Sequence, residues 1–300
     1  MRGILLINKL QGWTSFDAVN YCKKLLSTRE VGHLGTLDPM ATGVLAVTVG
    51  SATKLFDMFL NKTKTYIAKF EFGYSTDTLD AEGTIEKVLN NYTLPNNIKL
   101  RENVELVEGN IPTLEQINNI LPLFLGEIEQ MPPKYSAKKL QGRKACDLAR
   151  SGVEFELKPS MVLINNLKVI DYTNNVLTIE INCGAGTYIR SLGRDIGAKL
   201  NSLATMISLN RTEVGEFKLE DCIDIKQQTS ETITQHIKPI DSVFNKLYTL
   251  DDEGIVTRLI NGQTVVTDLK DGEYKLYLKG EFKAIAQANN RHIKMSKFFK

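Results

Sequence analysis

The stretch from Val31 to Gly43 limits the fold more than any other part of this 300-residue chain. It reads Val31-Gly32-His33-Leu34-Gly35-Thr36-Leu37-Asp38-Pro39-Met40-Ala41-Thr42-Gly43, and its glycines and proline fit the interior of neither a regular helix nor a regular strand. It therefore forms a loop between a helical stretch and the apolar run Gly43 to Val49. Asp38 is its single carboxylate. Aspartate before proline is a common start for a short helix, with proline at the first helical position. Capping alone does not require the polar neighbours His33, Thr36 and Thr42, nor glycines that let other backbone approach closely.

Periodicity places strands and helices around this loop in a mixed order. Gly3 to Ile7 is an apolar strand, and Ser15 is the expected N-cap of a helix with Phe16, Val19, Cys22 and Leu26 on one face. Thr65 to Phe72 alternates, with Tyr66, Ala68, Phe70 and Phe72 on one side. Residues 85 to 112 are polar and read as an irregular surface excursion. Leu114 to Leu125 is helical; Met161 to Tyr172 and Asn175 to Cys183 form antiparallel strands turning at Asn174-Asn175. Thr187 to Leu200 is a helix with Tyr188, Leu192, Ile196 and Leu200 in one row, and Ala204 to Phe217 is extended. Beyond Pro239-Ile240-Asp241, turn signals at Asp251-Asp252-Glu253-Gly254, Asn261-Gly262 and Asp271-Gly272 predict a small all-β module over 245–300.

Composition removes several classes of function. Cys22, Cys146, Cys183 and Cys222 form no CxxC pair, and His33, His236 and His292 are equally scattered. This argues against a zinc site or a disulfide framework and fits a reducing cytosol, so a cytoplasmic location is expected. No apolar run approaches the roughly 20 residues of a membrane span. A calcium loop starting at Asp77 fails because Val88 stands where the bidentate glutamate belongs, and Gly50-Ser51-Ala52-Thr53-Lys54 lacks the second glycine of a phosphate loop. With a net charge of only +2, nucleic-acid binding must come from local patches. One such patch holds Lys134, Lys138, Lys139, Arg143 and Lys144 beside Tyr135, entered through Pro132-Pro133, and reads as a clamp on RNA backbone. The tail is also basic, with Lys279, Lys283, Arg291, Lys294, Lys297 and Lys300 against Glu281. Two rivals stay open on residues alone. One is a glycoside hydrolase, for which Asp77 or Asp80 would be the second carboxylate. The other is an RNA-binding module, which would need neither Asp38 nor Arg190.

Gly32 to Leu45 resembles the signature of the TruB family of tRNA pseudouridine synthases. Four further segments agree in the family's order: Asn8-Lys9-Leu10-Gln11-Gly12-Trp13-Thr14-Ser15; Lys64-Thr65-Tyr66 with the loop from Gly73 to Gly83; Gln130 to Lys138; and Gly186-Thr187-Tyr188-Ile189-Arg190-Ser191-Leu192. The likeness spans residues 3 to 242 and departs from the pattern at Leu10, usually proline, and Leu34, usually smaller. It implies an α+β catalytic domain over 1–242, built on a mixed, mainly antiparallel sheet flanked by helices, with an RNA-clasping insertion at about 126–152. The module at 245–300 resembles a PUA-type RNA-binding domain. The implied reaction isomerises uridine 55 in the T-loop of tRNA, without cofactor or metal, on a base flipped out of its stack. The implied catalytic residues are Asp38, Arg190 as its charge partner, and Tyr66, which stacks on the base and takes a late proton from C5. The implied RNA-binding residues are Lys9, which neutralises phosphate or braces the Asp38 loop; His33, a wedge or stacking partner that keeps the RNA open; Leu209; and Lys134, Tyr135, Lys138 and Arg143 of the clamp. The expected partner is the tRNA T-arm, with no membrane, no obligate protein partner and a monomeric state.

Overall fold

The computed structural model describes residues 2–94, 100–140, 142–244 and 246–299, with backbone only for 100–102. Among these residues, nine strands join in one mixed sheet. Its main path runs Gly3–Lys9, Thr42–Val49, Ala204–Val214, Lys64–Phe72, Val176–Cys183, Ser160–Thr173, Gly126–Gln130. Every neighbouring pair on this path is antiparallel except one: Ala204–Val214 meets Thr42–Val49 in parallel, through only Asn210 opposite Thr42 and Arg211 opposite Gly43. This seam joins the second and third strands of the path, and the Asp38 loop enters the sheet there. The mainly antiparallel sheet with flanking helices agrees with the α+β architecture expected from the sequence.

Two apolar layers hold the sheet. On one side, Phe70, Phe72, Ile179, Leu192, Ile196 and Met206 pack the Ile189–Lys199 helix onto the central strands. That helix lies so close that a Cβ on Gly193 would stand 2.4 Å from the Phe70 ring. At the Gly3–Lys9 end of the path, Leu5, Ile7, Val19, Cys22, Leu45 and Val47 bury the Ser15–Leu26 helix.

Several sequence expectations shift by a residue or more. The N-cap of the first helix is Thr14, in a reciprocal capping box with Asp17; Ser15 is its first helical residue and is buried. Phe16, in the first turn at the margin of the apolar stripe, is 63% exposed beneath the Lys23 ammonium, and Ala18 takes its place inside. No helix starts at Pro39. Asp38 to Ala41 is a single turn closed by Ala41 N–H donating to Asp38 O at 3.1 Å, and the chain passes directly into the Thr42–Val49 strand. The second long helix begins at Ile189 because Tyr188 is still extended (φ −99°, ψ 111°). The polar stretch read as irregular contains the strands Ile85–Leu89 and Leu100–Val107, ordered by Ile85 and Val88 packing on Tyr74; residues 95–99 lie outside the described residues. Segment 126–152 also divides: Gly126–Gln130 belongs to the main sheet, and the excursion proper is 131–159.

The C-terminal sheet has five strands, in the order Tyr248–Leu250, Gly272–Leu278, Glu281–Asn289, His292–Phe298, Val265–Val266. It carries a helix that the turn spacing does not reveal, Glu253–Ile260, with Val256 and Leu259 buried. Phe282, Ile285 and Phe299 reach into a shared core with Ile4, Leu6 and Val44. Arg2 ties the two parts, its guanidinium donating to Phe299 O and Phe282 O at 3.0 and 3.1 Å.

Candidate active site

The first turn of the Ile189–Lys199 helix and the Asp38 turn face each other across the edge of the sheet. Arg190 Nε lies 3.0 Å from Asp38 Oδ2, and its Nη2 donates to Oδ1 at 3.2 Å, a side-on ion pair. The remaining guanidinium protons go to Thr78 O (3.0 Å) and Tyr135 O (3.1 Å), with Asp80 Oδ2 3.5 Å from Nη1. Arg190 is buried, whereas the Asp38 side chain keeps 33% of its surface. The arginine is thus fixed from several sides and the carboxylate is left open on its outer face. That face looks into a cavity of about 160 Å³ lined by Asp38, Tyr66, Tyr135, Thr187, Arg190 and Leu209.

The loop under Asp38 is held by polar groups that the strands deliver. Lys9, 1% exposed, donates to the carbonyls of Leu10 (2.9 Å), Trp13 (2.6 Å) and Pro39 (3.1 Å). Burial pulls its ammonium down to about 8, against the opposing pull of Glu82 and Asp38. Ser15 Oγ accepts from Leu37 N–H at 2.8 Å and donates to Leu37 O at 3.1 Å. Asn8 Oδ1 accepts from Gly43 N–H at 3.0 Å. Arg211 donates to the carbonyls of Val44, Thr36 and Gly35 at 2.9, 3.2 and 3.2 Å. Gly43 (φ +108°) must be glycine, since a Cβ there would stand 2.2 Å from Arg211 O.

Tyr66 is buried on the apolar face of its strand and lines the cavity. Burial pushes its phenol up, and the nearby Arg211 guanidinium acts the other way. Burial is likewise the main reason that Asp80 is raised, against the Thr78 hydroxyl, Arg190 and the Glu82 N–H.

The expected site residues do not all converge. Asp38, Tyr66, Arg190, Leu209 and Tyr135 share the cavity. Lys9 does not present its ammonium to RNA phosphate, because all three of its protons are spent on backbone beneath the loop. His33 lies on the Val31–His33 strand outside the cavity lining; burial, and then Arg211, pull its imidazole down. The Lys138 ammonium closes the base of the excursion, donating to Lys158 O and Ser160 Oγ at 2.8 Å each. Lys134 and Arg143 are exposed, Arg143 in a short hairpin of Lys139–Leu140 with Arg143–Lys144. Leu34, bulkier than the family pattern, points into the core with Ile4, Leu6 and Val44, away from the cavity.

Sequence reasoning missed the supporting polar groups Arg211, Ser15, Asn8 and Thr78. One signal was available: Arg211 is in phase with Leu209 on an alternating strand, and a charge at an inward position needs a structural reason.

Residues 23–113 and 110–189 match the model of the TruB family pseudouridylate synthase N-terminal domain. The chain is 39% identical over 299 residues to a protein named tRNA pseudouridine synthase B from Fusobacterium nucleatum, covering 98% of each chain. It is 36% identical over 307 residues to the protein of that name from Clostridium kluyveri, covering 100% of each. Among solved structures, it superposes on a chain of a Cbf5–Nop10–Gar1 complex with a TM-score of 0.70 at 22% identity, covering 99% of this chain and 85% of that one. The chain belongs to the TruB family of pseudouridylate synthases.

Proposed function

We propose that this protein isomerises uridine to pseudouridine at position 55 in the T-loop of tRNA. The observation that carries the reading is the Asp38–Arg190 pair, whose open carboxylate face looks into a cavity bounded by Tyr66 and Leu209. The two relatives described above carry the name tRNA pseudouridine synthase B along their whole length, which supports tRNA as the substrate. The cavity is too small for paired RNA, so the target nucleotide enters flipped out, at a cost of a few kcal/mol. Asp38 then acts on it as nucleophile or as base at C1′, held in place by its ion pair with Arg190. Tyr66 stacks on the detached base as it turns, a contact worth roughly 1–3 kcal/mol, and receives the C5 proton after the new bond forms. Lys134, Lys139, Arg143 and Lys144 hold RNA backbone from the excursion, and the unit over 245–300 is a PUA-like module that extends the RNA-binding surface. The reaction is redox-neutral and runs without cofactor, in a cytoplasmic monomer.

Incubating an unmodified tRNA transcript with the purified protein and mapping pseudouridine at every uridine tests this directly. Conversion at position 55 alone is expected. Release of free uracil would instead identify a hydrolase.

A further inference from the structure

Ser136, on the excursion, is 3% exposed and lines the same cavity as Asp38, Tyr66 and Leu209. Its backbone is held on both sides. The Tyr135 carbonyl before it accepts from Arg190 Nη2 at 3.1 Å, and its own carbonyl accepts from Cys146 N–H at 3.0 Å. Its hydroxyl is buried and has no hydrogen-bond partner among the described residues. No other residue lining the cavity holds such an atom among them. The other fixed polar groups of the wall are spent on the protein itself: Thr187 Oγ1 donates to Gly184 O at 3.1 Å, and Arg190 serves Asp38, Thr78 O and Tyr135 O. A buried hydroxyl without a partner costs free energy. Packing does not require it here, since Ala137, next in the chain, lines the cavity with a methyl group. A serine hydroxyl turns about a single bond, so it can meet a polar group that enters.

We propose that Ser136 binds the substrate: its hydroxyl donates to a ring carbonyl oxygen of the flipped base and holds the ring while it is detached from the ribose. This rests on the reading of the site as a pseudouridine synthase. Tyr66 and Leu209 offer a stacking face and an apolar contact, which leave a ring free to slip in its own plane. A hydrogen bond at the ring edge removes that freedom. The edge of uracil presents an acceptor, a donor and an acceptor in a row: O4, N3–H and O2. Exchanging N1 for C5 at the sugar amounts to a half-turn of the ring about its N3–C6 line, and that turn puts O2 where O4 stood. A hydroxyl that donates to one carbonyl before the turn donates to the other after it without moving. One fixed donor thus serves both orientations of the base.

The test is a double-substitution cycle on the full chain. Single-turnover rates are measured for the parent and Ser136→Ala, each on a tRNA carrying uridine or 4-thiouridine at the target position, sulfur being a weak acceptor. Ser136→Ala on uridine should lose about tenfold, or ~1.4 kcal/mol. The parent on 4-thiouridine should lose a similar amount, and the two changes together should lose no more than threefold beyond either alone. Losses that multiply, or a Ser136→Ala variant as fast as the parent, would overturn the proposal. Urea unfolding supplies a second readout. Removing a hydroxyl that has no partner within the protein should leave the midpoint unchanged or higher, whereas a clear fall would mark Ser136 as structural and overturn the proposal. A parent that makes no pseudouridine would overturn the functional reading and this contact with it; multiplying losses in an active parent would overturn the contact alone.

Discussion

Ser15 and Leu37, twenty-two residues apart, hold each other by a two-way hydrogen bond: one hydroxyl serves both the N–H and the C=O of Leu37. The residue that opens the first helix therefore also sets the backbone immediately before Asp38. Ser15→Ala leaves two buried backbone groups unpaired, at about 1–3 kcal/mol for a lost buried bond. We expect a loss of stability in that range by urea unfolding, together with a drop in kcat larger than the change in KM. Unchanged kcat would separate the helix start from the reacting loop.

Asp38→Asn keeps the shape of the turn and removes the charge. It should abolish pseudouridine formation while tRNA affinity stays within tenfold, about 1.4 kcal/mol. Turnover near the parent rate would remove Asp38 from its role.

Arg190→Lys keeps the charge and loses the fork that reaches Asp38, Thr78 O and Tyr135 O together. Turnover should fall at least a hundredfold, with RNA binding changed little. A variant weakened chiefly in binding would place Arg190 on the RNA rather than on the carboxylate.

Lys9→Met sets two effects against each other. It relieves the burial that pulls the ammonium down to about 8, and it takes a charged donor from three carbonyl oxygens, of which Pro39 O and Leu10 O keep the N–H of Gly12 and Trp13. The lost bonds outweigh the relief, and a net destabilisation of about 1–3 kcal/mol is expected by chemical denaturation. A stabilised variant would reverse that order.

His33 is held below the ordinary imidazole value of 6.5, mainly by burial and then by Arg211. Between its folded value and 6.5 the unfolded chain binds more protons, so stability contributed at this site is complete above 6.5 and declines as pH falls towards the folded value. The parent should therefore lose more stability than His33→Gln between pH 7 and pH 5, read as the difference in urea midpoints. Parallel losses would show that His33 does not titrate differently on folding.

Much of the frame was legible in the sequence because periodicity reports burial. The alternation of Tyr66, Ala68, Phe70 and Phe72 and the Asn174-Asn175 turn gave strands and a hairpin that the structure contains. What stayed hidden was long-range. Nothing near Ser15 indicates that its hydroxyl is claimed by Leu37 rather than by its own helix start, and the adjacent threonine is the better cap. The strands within 85–107 were missed because neither alternates cleanly, and Ile85 and Val88 gain their order from Tyr74. The Asp38–Arg190 partnership bridges 152 positions and was available only through resemblance, since no local pattern distinguishes such an arginine from a solvated one.

The two-pair parallel seam between the strands Thr42–Val49 and Ala204–Val214 has a consequence for how this chain can vary in length. Leu34 N–H is bonded to Ala46 O at one end of the Asp38 loop, and Gly43 must land opposite Arg211 at the other. One residue more or fewer between them would bring a side chain, in place of hydrogen, against the Arg211 backbone and would turn Asp38 away from its partner. The segment from 34 to 43 is thus a fixed-length gauge: its residues can be exchanged one for one, but it cannot be lengthened or shortened.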